Sequence, residues 1–498
     1  MVIVFALVAL AVLAVVAGLH RYVWRRLVRD TTRGPGPARR VGTALFVTGP
    51  VLTAAALVAE RTGAPFWLQR SLAWPGFLWL ALALYLLLGV LAAEAVRPLL
   101  NRLSRRVPPS PRDAAVSPSG RSSLDAPVSP SGRPSRDPDA SAPDRPSPDA
   151  AVSPSDRPSP DPVASPLGRP SRVVGGQGPG VQGAEPPGAV TAPPAQAPAP
   201  PAQAPAPPAQ APAPERAPEP GVPEPTRRLV VSRLLAGAVT TAAVATVGHG
   251  TYGVLQGPRV RRVTVPLTKL PRAANGFRIA VVSDIHLGPV LGRGFAQRVV
   301  DTVNATQPDL IAVVGDLVDG SVKDLGPAAA PLARLSARHG AYFVTGNHEY
   351  FSGAEQWIAE VRDLGLHPLQ NARTELPYFD LAGVNDVQGE SEGQGPDFAK
   401  ALDDRDPARA CVLLAHQPVQ IHEAVRHGVD LQLSGHTHGG QLWPGSLLAA
   451  AANPTVAGLD RYGDTQLYVS RGAGAWGPPT RVGAPSDVTV IELAATRA

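Results

Sequence analysis

The stretch Val-Val-Ser-Asp-Ile-His-Leu-Gly at 281–288 indicates how the C-terminal half of this chain folds. It completes a β-branched, apolar run that begins at Phe277 and stops abruptly at Ser283. Such a run predicts a buried strand, and in an open α/β sheet ligands gather at the carboxyl ends of strands. Asp284 and His286 lie two residues apart at this end, so both side chains can point to the same side. The pair is suited to a divalent metal.

The same arrangement recurs after four later predicted strands, each of which ends in side chains that can bind metal. These endings are Gly315-Asp316, Gly346-Asn347-His348-Glu349, His416 and Gly435-His436-Thr437-His438. Carboxylates, an amide and imidazoles without a thiolate favour Mn, Fe, Zn or Co over a cysteine-type zinc site. Seven of these groups would already be too many for one ion. The pattern therefore predicts two divalent ions that share a carboxylate, about 3.5–4 Å apart.

The order of these motifs resembles that of the calcineurin-like metallophosphoesterase family, over about 275–495. The run Gly-His-Thr-His-Gly-Gly-Gln-Leu-Trp-Pro at 435–444, with the apolar segments before it, resembles the membrane-anchored bacterial branch. The resemblance implies a four-layer αββα sandwich, in which two mixed sheets pack together with helices outside. It also implies phosphoric ester hydrolysis.

The resemblance assigns a role to each matching residue. It implies that one metal is held by Asp284, His286 and His438, that the other is held by Asn347, His416 and His436, and that Asp316 bridges them. His348 resembles the histidine that acts as an acid or stabilises charge on the phosphoryl group. Glu349 stands where the family more often has Asp, at a position that is not a direct ligand.

The composition sets further bounds on the 498-residue chain. It has 57 prolines and 49 glycines, and its single cysteine, Cys411, excludes an internal disulfide. A net charge of +6 is compatible with nucleic-acid binding, but the arginines cluster beside apolar segments, where membrane topology explains them. We expect a phosphate-ester substrate and a membrane as partners, and no nucleic acid.

Three apolar segments, at 1–19, 41–59 and 74–96, are each about as long as the roughly 20 residues that span a bilayer. Seven arginines lie between the first and second segments, against two between the second and third. Four more arginines follow the third segment, so the positive-inside rule predicts that the first loop and the residues after 96 are cytoplasmic. We therefore assign 1–106 to a membrane domain.

Residues 107–226 form a predicted disordered linker, because 34 of the 57 prolines lie between 107 and 225. Next, 227–256 is predicted to be either a fourth transmembrane helix or a twin-arginine-like export segment. Either prediction puts the catalytic domain at 259–498 outside the cytoplasm. The alternative is a helix lying on the inner surface of the membrane, with a cytoplasmic catalytic domain.

The pattern as a whole predicts a membrane-anchored, dinuclear phosphoesterase that hydrolyses phosphomonoesters or phosphodiesters. An extracytoplasmic location favours cell-envelope or lipid-linked substrates. Two alternatives stay open, a nuclease with the same metal chemistry and a membrane scaffold that binds metal only for structure. The full ligand set argues against the scaffold, because a structural site does not need an additional histidine.

Overall fold

The computed structural model describes residues 2–105 and 226–496, and four long helices form its N-terminal part. They are α1 (Val2–Trp24), which continues into a π-helical turn (Arg25–Arg29), α2 (Pro37–Arg61), α3 (Phe66–Arg105) and α4 (Arg227–Leu255). Among the described residues, the helices long and apolar enough to cross a membrane are Pro37–Arg61, Phe66–Leu99 and Arg227–Leu255. The predicted linker lies outside the described residues, except for Thr226.

Each predicted apolar segment is helical. The segments at 41–59 and 74–96 fall within α2 and α3, and 1–19 falls almost entirely within α1. Helix α4 is continuous, and the side chain of Thr226 caps it by accepting a hydrogen bond from the backbone of Leu229 at 3.4 Å. The domain boundaries stay predictions.

Twelve strands and seven further helices form the C-terminal domain. The strands are β1 (Arg259–Leu267), β2 (Phe277–Val282), β3 (Leu310–Val314), β4 (Ala341–Val344), β5 (His367–Pro368), β6 (Ala372–Glu375), β7 (Asp380–Gly383), β8 (Cys411–Leu414), β9 (Leu431–Ser434), β10 (Gly458–Tyr462), β11 (Thr465–Val469) and β12 (Asp487–Ala495). The helices are α5 (Arg293–Ala305), α6 (Val322–Ala329), α7 (Asn347–Ser352), α8 (Ala354–Asp363), α9 (Phe398–Leu402), α10 (Ile421–Arg426) and α11 (Gly445–Ala452). Short 3₁₀ turns lie at Arg272–Ala274, Ala330–Arg334, Val387–Glu392, Pro418–Gln420 and His438–Gly440.

The strands form two mixed sheets of six. One has the order β1-β12-β2-β3-β4-β5, in which only the pair of β12 and β2 is antiparallel. The other has the order β10-β11-β9-β8-β7-β6, in which the two outer pairs are antiparallel. The carboxyl ends of β2, β3 and β4 therefore lie side by side at one end of the strands of the first sheet. Those of β8 and β9 lie side by side at one end of the strands of the second sheet.

Alternating side chains along each strand build the layers. In β2, Ile279 and Val281 belong to a core shared with the second sheet, whereas Ala280 and Val282 pack with α5 and α8. In the second sheet, Leu413 faces a separate core with α9 and α10. Helices thus cover both outer faces, and the predicted four-layer αββα sandwich is confirmed.

Apolar runs predict seven of the strands, and each corresponds to a strand of the structure within about two residues at most ends. Five others carry no such run. β1 is rich in arginine, β5 has two residues, and β6, β7 and β10 are short segments with polar or charged residues. All of these except β7 are edge strands, for which burial on one face is enough and a polar sequence is tolerated.

Candidate metal centre

The seven predicted ligands, which we call the ligand cluster, come together where the carboxyl ends of strands from both sheets meet. Among the described residues, side chains that could hold a metal fall into three groups, and within each group the ligand atoms all lie within 4.8 Å of one another. The groups are Asp284 with His286, Asp316 and His438; Asp316 with His416 and His436; and His286 with Asp319 and His348. Asp316 and His286 each belong to two of them, and Asp316 is the shared carboxylate.

His286 follows β2, and its ring is fixed by its Nδ1, which lies 2.8 Å from Oδ1 of Asp319. An imidazole that donates from Nδ1 leaves Nε2 free to bind a metal. That Nε2 lies 3.0 Å from Nε2 of His438 and 3.7 Å from Oδ2 of Asp316. The side chain is 1% exposed, so these contacts are shielded from water.

Asp316 follows β3 and faces His416, which follows β8 in the other sheet. Oδ2 of Asp316 lies 3.1 Å from Nε2 of His416. His416 is fully buried, and its Nδ1 lies 2.9 Å from the carbonyl oxygen of Val314. As in His286, Nδ1 therefore faces an acceptor oxygen and Nε2 faces the ligand cluster. The two sheets are therefore joined at the ligand cluster by polar contacts.

Asn347 and His436 complete this side of the cluster. Nδ1 of His436 lies 3.0 Å from Oδ1 of Asn347, the first residue of α7. The backbone of His436 donates to the carboxylate of Asp284, with its nitrogen 2.9 Å from Oδ1. Asp284, a predicted ligand, thus also positions the loop after β9.

His438 is backed by a buried guanidinium that sequence reasoning missed. Arg481 is 6% exposed, donates to the carbonyl oxygens of Gly474 and His438, and lies 3.0 Å from Nδ1 of His438. Burial lowers the pKa of Arg481 to about 10, still above neutral pH. Arg481 follows no apolar run and stands in a loop, so no pattern in the sequence distinguishes it from surface arginines.

The backbone at the ligand cluster is unusual. Eight non-glycine residues in the described ranges have positive φ, and five of them are predicted ligands, namely Asp284, His286, Asp316, His436 and His438. Left-handed backbone at non-glycine residues is uncommon and concentrates at functional sites. The chain therefore leaves each strand through a sharp turn that directs the next side chain into the cluster.

Two glycines allow the strand ends to approach one another. A Cβ at Gly315 would collide with Nδ1 of His416, and Gly315 also has a φ of 72°. A Cβ at Gly346 would collide with Oδ1 and the backbone nitrogen of Asp316. The Gly-Asp and Gly-Asn pairs of the sequence are thus explained by close packing between neighbouring loops.

The electrostatic environment shifts the pKa values of the predicted histidine ligands in different directions. Burial, followed by the charge of His416, lowers the pKa of His436 to about 4, and burial with the charges of His286 and Arg481 lowers that of His438 further. Both rings are therefore neutral at pH 7, as metal ligation requires. In His416 burial is outweighed by the contact with Asp316, which raises the pKa of the ring well above its usual range.

Known proteins are similar in sequence to the C-terminal domain. Residues 277–440 match the family model of the calcineurin-like phosphoesterases. An uncharacterized metallophosphoesterase from Helicobacter pylori is 36% identical over 272 residues, which is 54% of this chain and 73% of the relative. The chain belongs to the calcineurin-like phosphoesterase family. The predicted family is confirmed.

Two vertebrate relatives share this phosphoesterase domain. Each is named a transmembrane protein with metallophosphoesterase domain; the one from Danio rerio is 39% identical over 269 residues and the one from Bos taurus 38% over 287 residues. The matches cover 51% and 54% of this chain, and 61% and 64% of the two relatives. The chain therefore spans less than two thirds of either relative.

Beside the ligand cluster, His348 is held by a carboxylate that sequence reasoning also missed. Oδ1 of Asp319 lies 2.7 Å from Nδ1 of His348. Burial lowers the pKa of His348, but the hydrogen bond and charge of Asp319 outweigh it and raise this pKa to about 9. Asp319 stands three residues after the predicted ligand Asp316, and this spacing was the available signal.

Glu349 is fully buried and holds the loop that carries Asp316. Its carboxylate accepts hydrogen bonds from the backbone of Asp316 at 3.0 Å, Leu317 at 2.8 Å and Gly346 at 2.6 Å. Burial and the charge of Asp316 raise the pKa of Glu349 to about 7. Glu349 is thus a positioning residue for two strand-end loops of the phosphoesterase centre.

Proposed function

We propose that this protein is a membrane-anchored phosphoesterase that uses two divalent metal ions to hydrolyse phosphomonoesters or phosphodiesters. The observation that carries the proposal is the position of Asp316. Its carboxylate belongs to two groups of metal-capable side chains at once, one drawn mainly from β2 and one mainly from the second sheet. A carboxylate shared in this way is suited to bridging two ions.

The remaining ligands divide between the two ions. We propose that one ion is held by Asp284, His286 and His438, and that the other is held by Asn347, His416 and His436. Two observations support metal at these positions. Nε2 of His416 is buried and faces Oδ2 of Asp316 at 3.1 Å, and the Nε2 atoms of His286 and His438 lie 3.0 Å apart. Imidazole with carboxylate and amide oxygen suits Mn, Fe, Zn or Co.

When bound, two such ions supply Lewis acidity to the phosphoryl group and a nucleophile at neutral pH. The chain supplies the rest. We propose that His348, held by Asp319, donates a proton to the leaving oxygen or stabilises charge on the phosphoryl oxygens. Its raised pKa keeps the ring protonated and therefore able to donate. Trp476 and Phe351 flank the ring, at centroid distances of 5.6 Å each, and shield one side of it.

We further propose that the protein crosses the membrane several times, with the catalytic domain outside the cytoplasm. Two contacts support placing the catalytic domain on the same side of the membrane as the turn after α2 and the end of α4. Val290 of the catalytic domain packs against Ala56 of α2 and Phe77 of α3. Thr251 of α4 forms a hydrogen bond of 2.7 Å with Thr480.

The arginine-rich helix ends meet at the other end of the bundle. Arg26 pairs with Glu94 at 2.9 Å, and Arg233 donates to the carbonyl oxygen of Thr31 at 3.0 Å. The positive-inside rule makes that end cytoplasmic. The orientation is tested by fusing, after residue 498, a reporter that works only in the cytoplasm. Activity of that reporter would contradict the proposed orientation.

The experiment that tests the function combines metal analysis with turnover. The full chain, purified in detergent with Mn²⁺, should bind two ions and cleave aryl phosphate mono- or diesters. Asp316→Asn should lose both ions or all turnover, whereas Asp324→Asn, at an exposed carboxylate of α6, should change neither. One ion per active chain would contradict the dinuclear proposal. Two ions without turnover on esters, nucleotides or DNA would favour the scaffold.

A further inference from the structure

Helix α11 is an apolar element that buries none of its residues against the described part of the chain. The 21 residues at 439–459 carry no charge, and α11 itself has no buried residue. Leu447 and Leu448 are 70% and 78% exposed, and Trp443 is 55% exposed. Single exposed apolar residues are ordinary, but a contiguous apolar helix marks an interaction surface. We call residues 442–452 the apolar segment.

The contact of Trp443 with α3 places this segment within the thickness of the membrane. Its carbonyl oxygen accepts a hydrogen bond of 3.0 Å from the hydroxyl of Tyr85. The candidate span in α3 runs from Phe66 to Leu99 over 34 residues, and a bilayer core needs about 20 of them. A stretch of that length that begins at 66 ends at 85, and one that ends at 99 begins at 80. Tyr85 is therefore at membrane depth wherever the span is placed.

The apolar segment is also continuous with the packing of the membrane helices. Leu442 packs, together with Val482, against the cluster formed by α1, α3 and α4, which includes Ala81, Tyr85 and Val239. The contact therefore extends from the spanning helices directly into the start of the segment. Since the environment of those helices at this depth is lipid, lipid is also the environment available to α11.

The segment begins close to the ligand cluster. Gln441, three residues after His438, exchanges two hydrogen bonds with the backbone of Trp476, at 2.8 and 3.0 Å. The Trp476 ring lies beside His348, and Trp476 and Phe351 are 54% and 57% exposed. Exposed aromatic side chains thus extend from the edge of the metal centre toward the apolar segment.

We propose that the apolar segment lies within the bilayer beside α3, and that the ester cleaved at the metal centre is carried by a lipid. The second part rests on the proposed function. A helix of eight residues spans only about 12 Å, so α11 enters one leaflet and does not cross the membrane. Its immersion keeps the opening of the metal centre at the level of the lipid head groups, where lipid phosphates are concentrated.

Depth is tested on the full chain in lipid vesicles with a fluorophore at Leu448→Cys. Leu80→Cys in α3 is the reference for a label in lipid. Ala408→Cys is the reference for a label in water; it precedes β8 and so lies at the opposite end of that strand from His416. The native Cys411 is fully buried, and burial raises the pKa of its thiol to about 12, so it does not label. We expect quenchers attached to lipid acyl chains to quench the label at 448 as strongly as that at 80, and iodide to quench only that at 408.

Two results would overturn the proposal. Quenching of the 448 label by iodide would show that α11 is in water. A label reached by neither quencher would show that protein covers α11, either a second copy or another part of the chain.

The lipid substrate is tested with Leu447→Ser/Leu448→Ser, compared with Val425→Ser, which removes an exposed apolar side chain from α10. The soluble probes are p-nitrophenyl and bis-p-nitrophenyl phosphate, and the lipid probes are phosphatidate and phosphatidylglycerol in vesicles. We expect the double variant to lose about tenfold in rate on a lipid probe only, because two side chains lose their apolar environment. Equal rates for the double variant and wild type on both lipid probes would overturn the lipid assignment. A wild type inactive on all four probes would contradict the proposed function, and the quenching experiment would still decide where α11 lies.

Discussion

Oδ1 of Asp319 lies 2.7 Å from Nδ1 of His348, and this contact accounts for the protonated state of the histidine. Although burial lowers the pKa of His348, the carboxylate raises it to about 9 in the metal-free chain. We predict that Asp319→Asn lowers this pKa, as measured by an NMR pH titration of the imidazole. Asp324→Asn, at an exposed carboxylate nearby, should not. An unchanged pKa in Asp319→Asn would assign the shift to another group.

The leaving group distinguishes the two roles proposed for His348. If the ring protonates the leaving oxygen, His348→Ala should lower kcat by about 10² to 10⁴-fold on an alkyl ester. An aryl ester with an acidic leaving group needs less protonation and should lose less. Loss of charge stabilisation would instead affect both esters alike. His422→Ala, at an exposed histidine of α10, is the control, and a normal kcat on the alkyl ester at full metal occupancy would remove His348 from the mechanism.

Glu349→Gln tests how the loop that carries Asp316 is held. A glutamine amide offers one acceptor oxygen where the carboxylate offers two, so at least one backbone N–H near Asp316 loses its partner. A buried donor left unpaired costs about 1–3 kcal/mol, and we expect the free energy of unfolding to fall by that amount. Chemical denaturation followed by near-UV circular dichroism measures it. The exposed Glu355→Gln should stay within experimental error of wild type.

Gly346→Ala tests the close packing of two loops. Its Cβ would collide with the carboxylate of Asp316, so Asp316 must move and metal affinity should fall by about 10 to 100-fold, the usual effect of displacing a group that supports a ligand. Gly294→Ala places the same methyl group in open space in α5 and should leave affinity unchanged. Titration with Mn²⁺ compares the two, and equal affinities would show that the loop adapts.

Metal loading should release protons. The pKa of His416 is raised well above its usual range, because Asp316 outweighs burial, so the ring is protonated in the metal-free chain at neutral pH. A protonated imidazole cannot bind metal, and affinity should therefore rise with pH. Calorimetric titration in two buffers of different ionisation enthalpy measures the released protons. Identical heats in both buffers would contradict the prediction.

Much of the fold and the ligand cluster could be predicted because both depend on local patterns. The run at 277–282 is mostly apolar on both faces, as a strand buried between helices and a second sheet must be, and it ends two residues before Asp284. Strands β6 and β10 could not be predicted, because edge strands need no continuous apolar run.

Residues that act through tertiary contacts were equally beyond local patterns. Arg481 contacts His438 across 43 residues, and Glu349 contacts Leu317 across 32. Neither separation is fixed by helix or strand periodicity. The sequence indicated which residues could bind metal, but it did not indicate which residues hold those ligands in place.

The left-handed backbone of five predicted ligands restricts how this site can change during evolution. Asp, Asn and His are the non-glycine residues most enriched in that conformation, and they are also ligands for divalent transition metals. A β-branched residue in place of Asp284 or His438 would strain the backbone at that position, whether or not a metal was bound. The conformation therefore limits the amino acids available for selection at these positions to a few types. Adaptation to a new substrate is expected to arise in the surrounding loops, whose backbone accepts a wider range of residues.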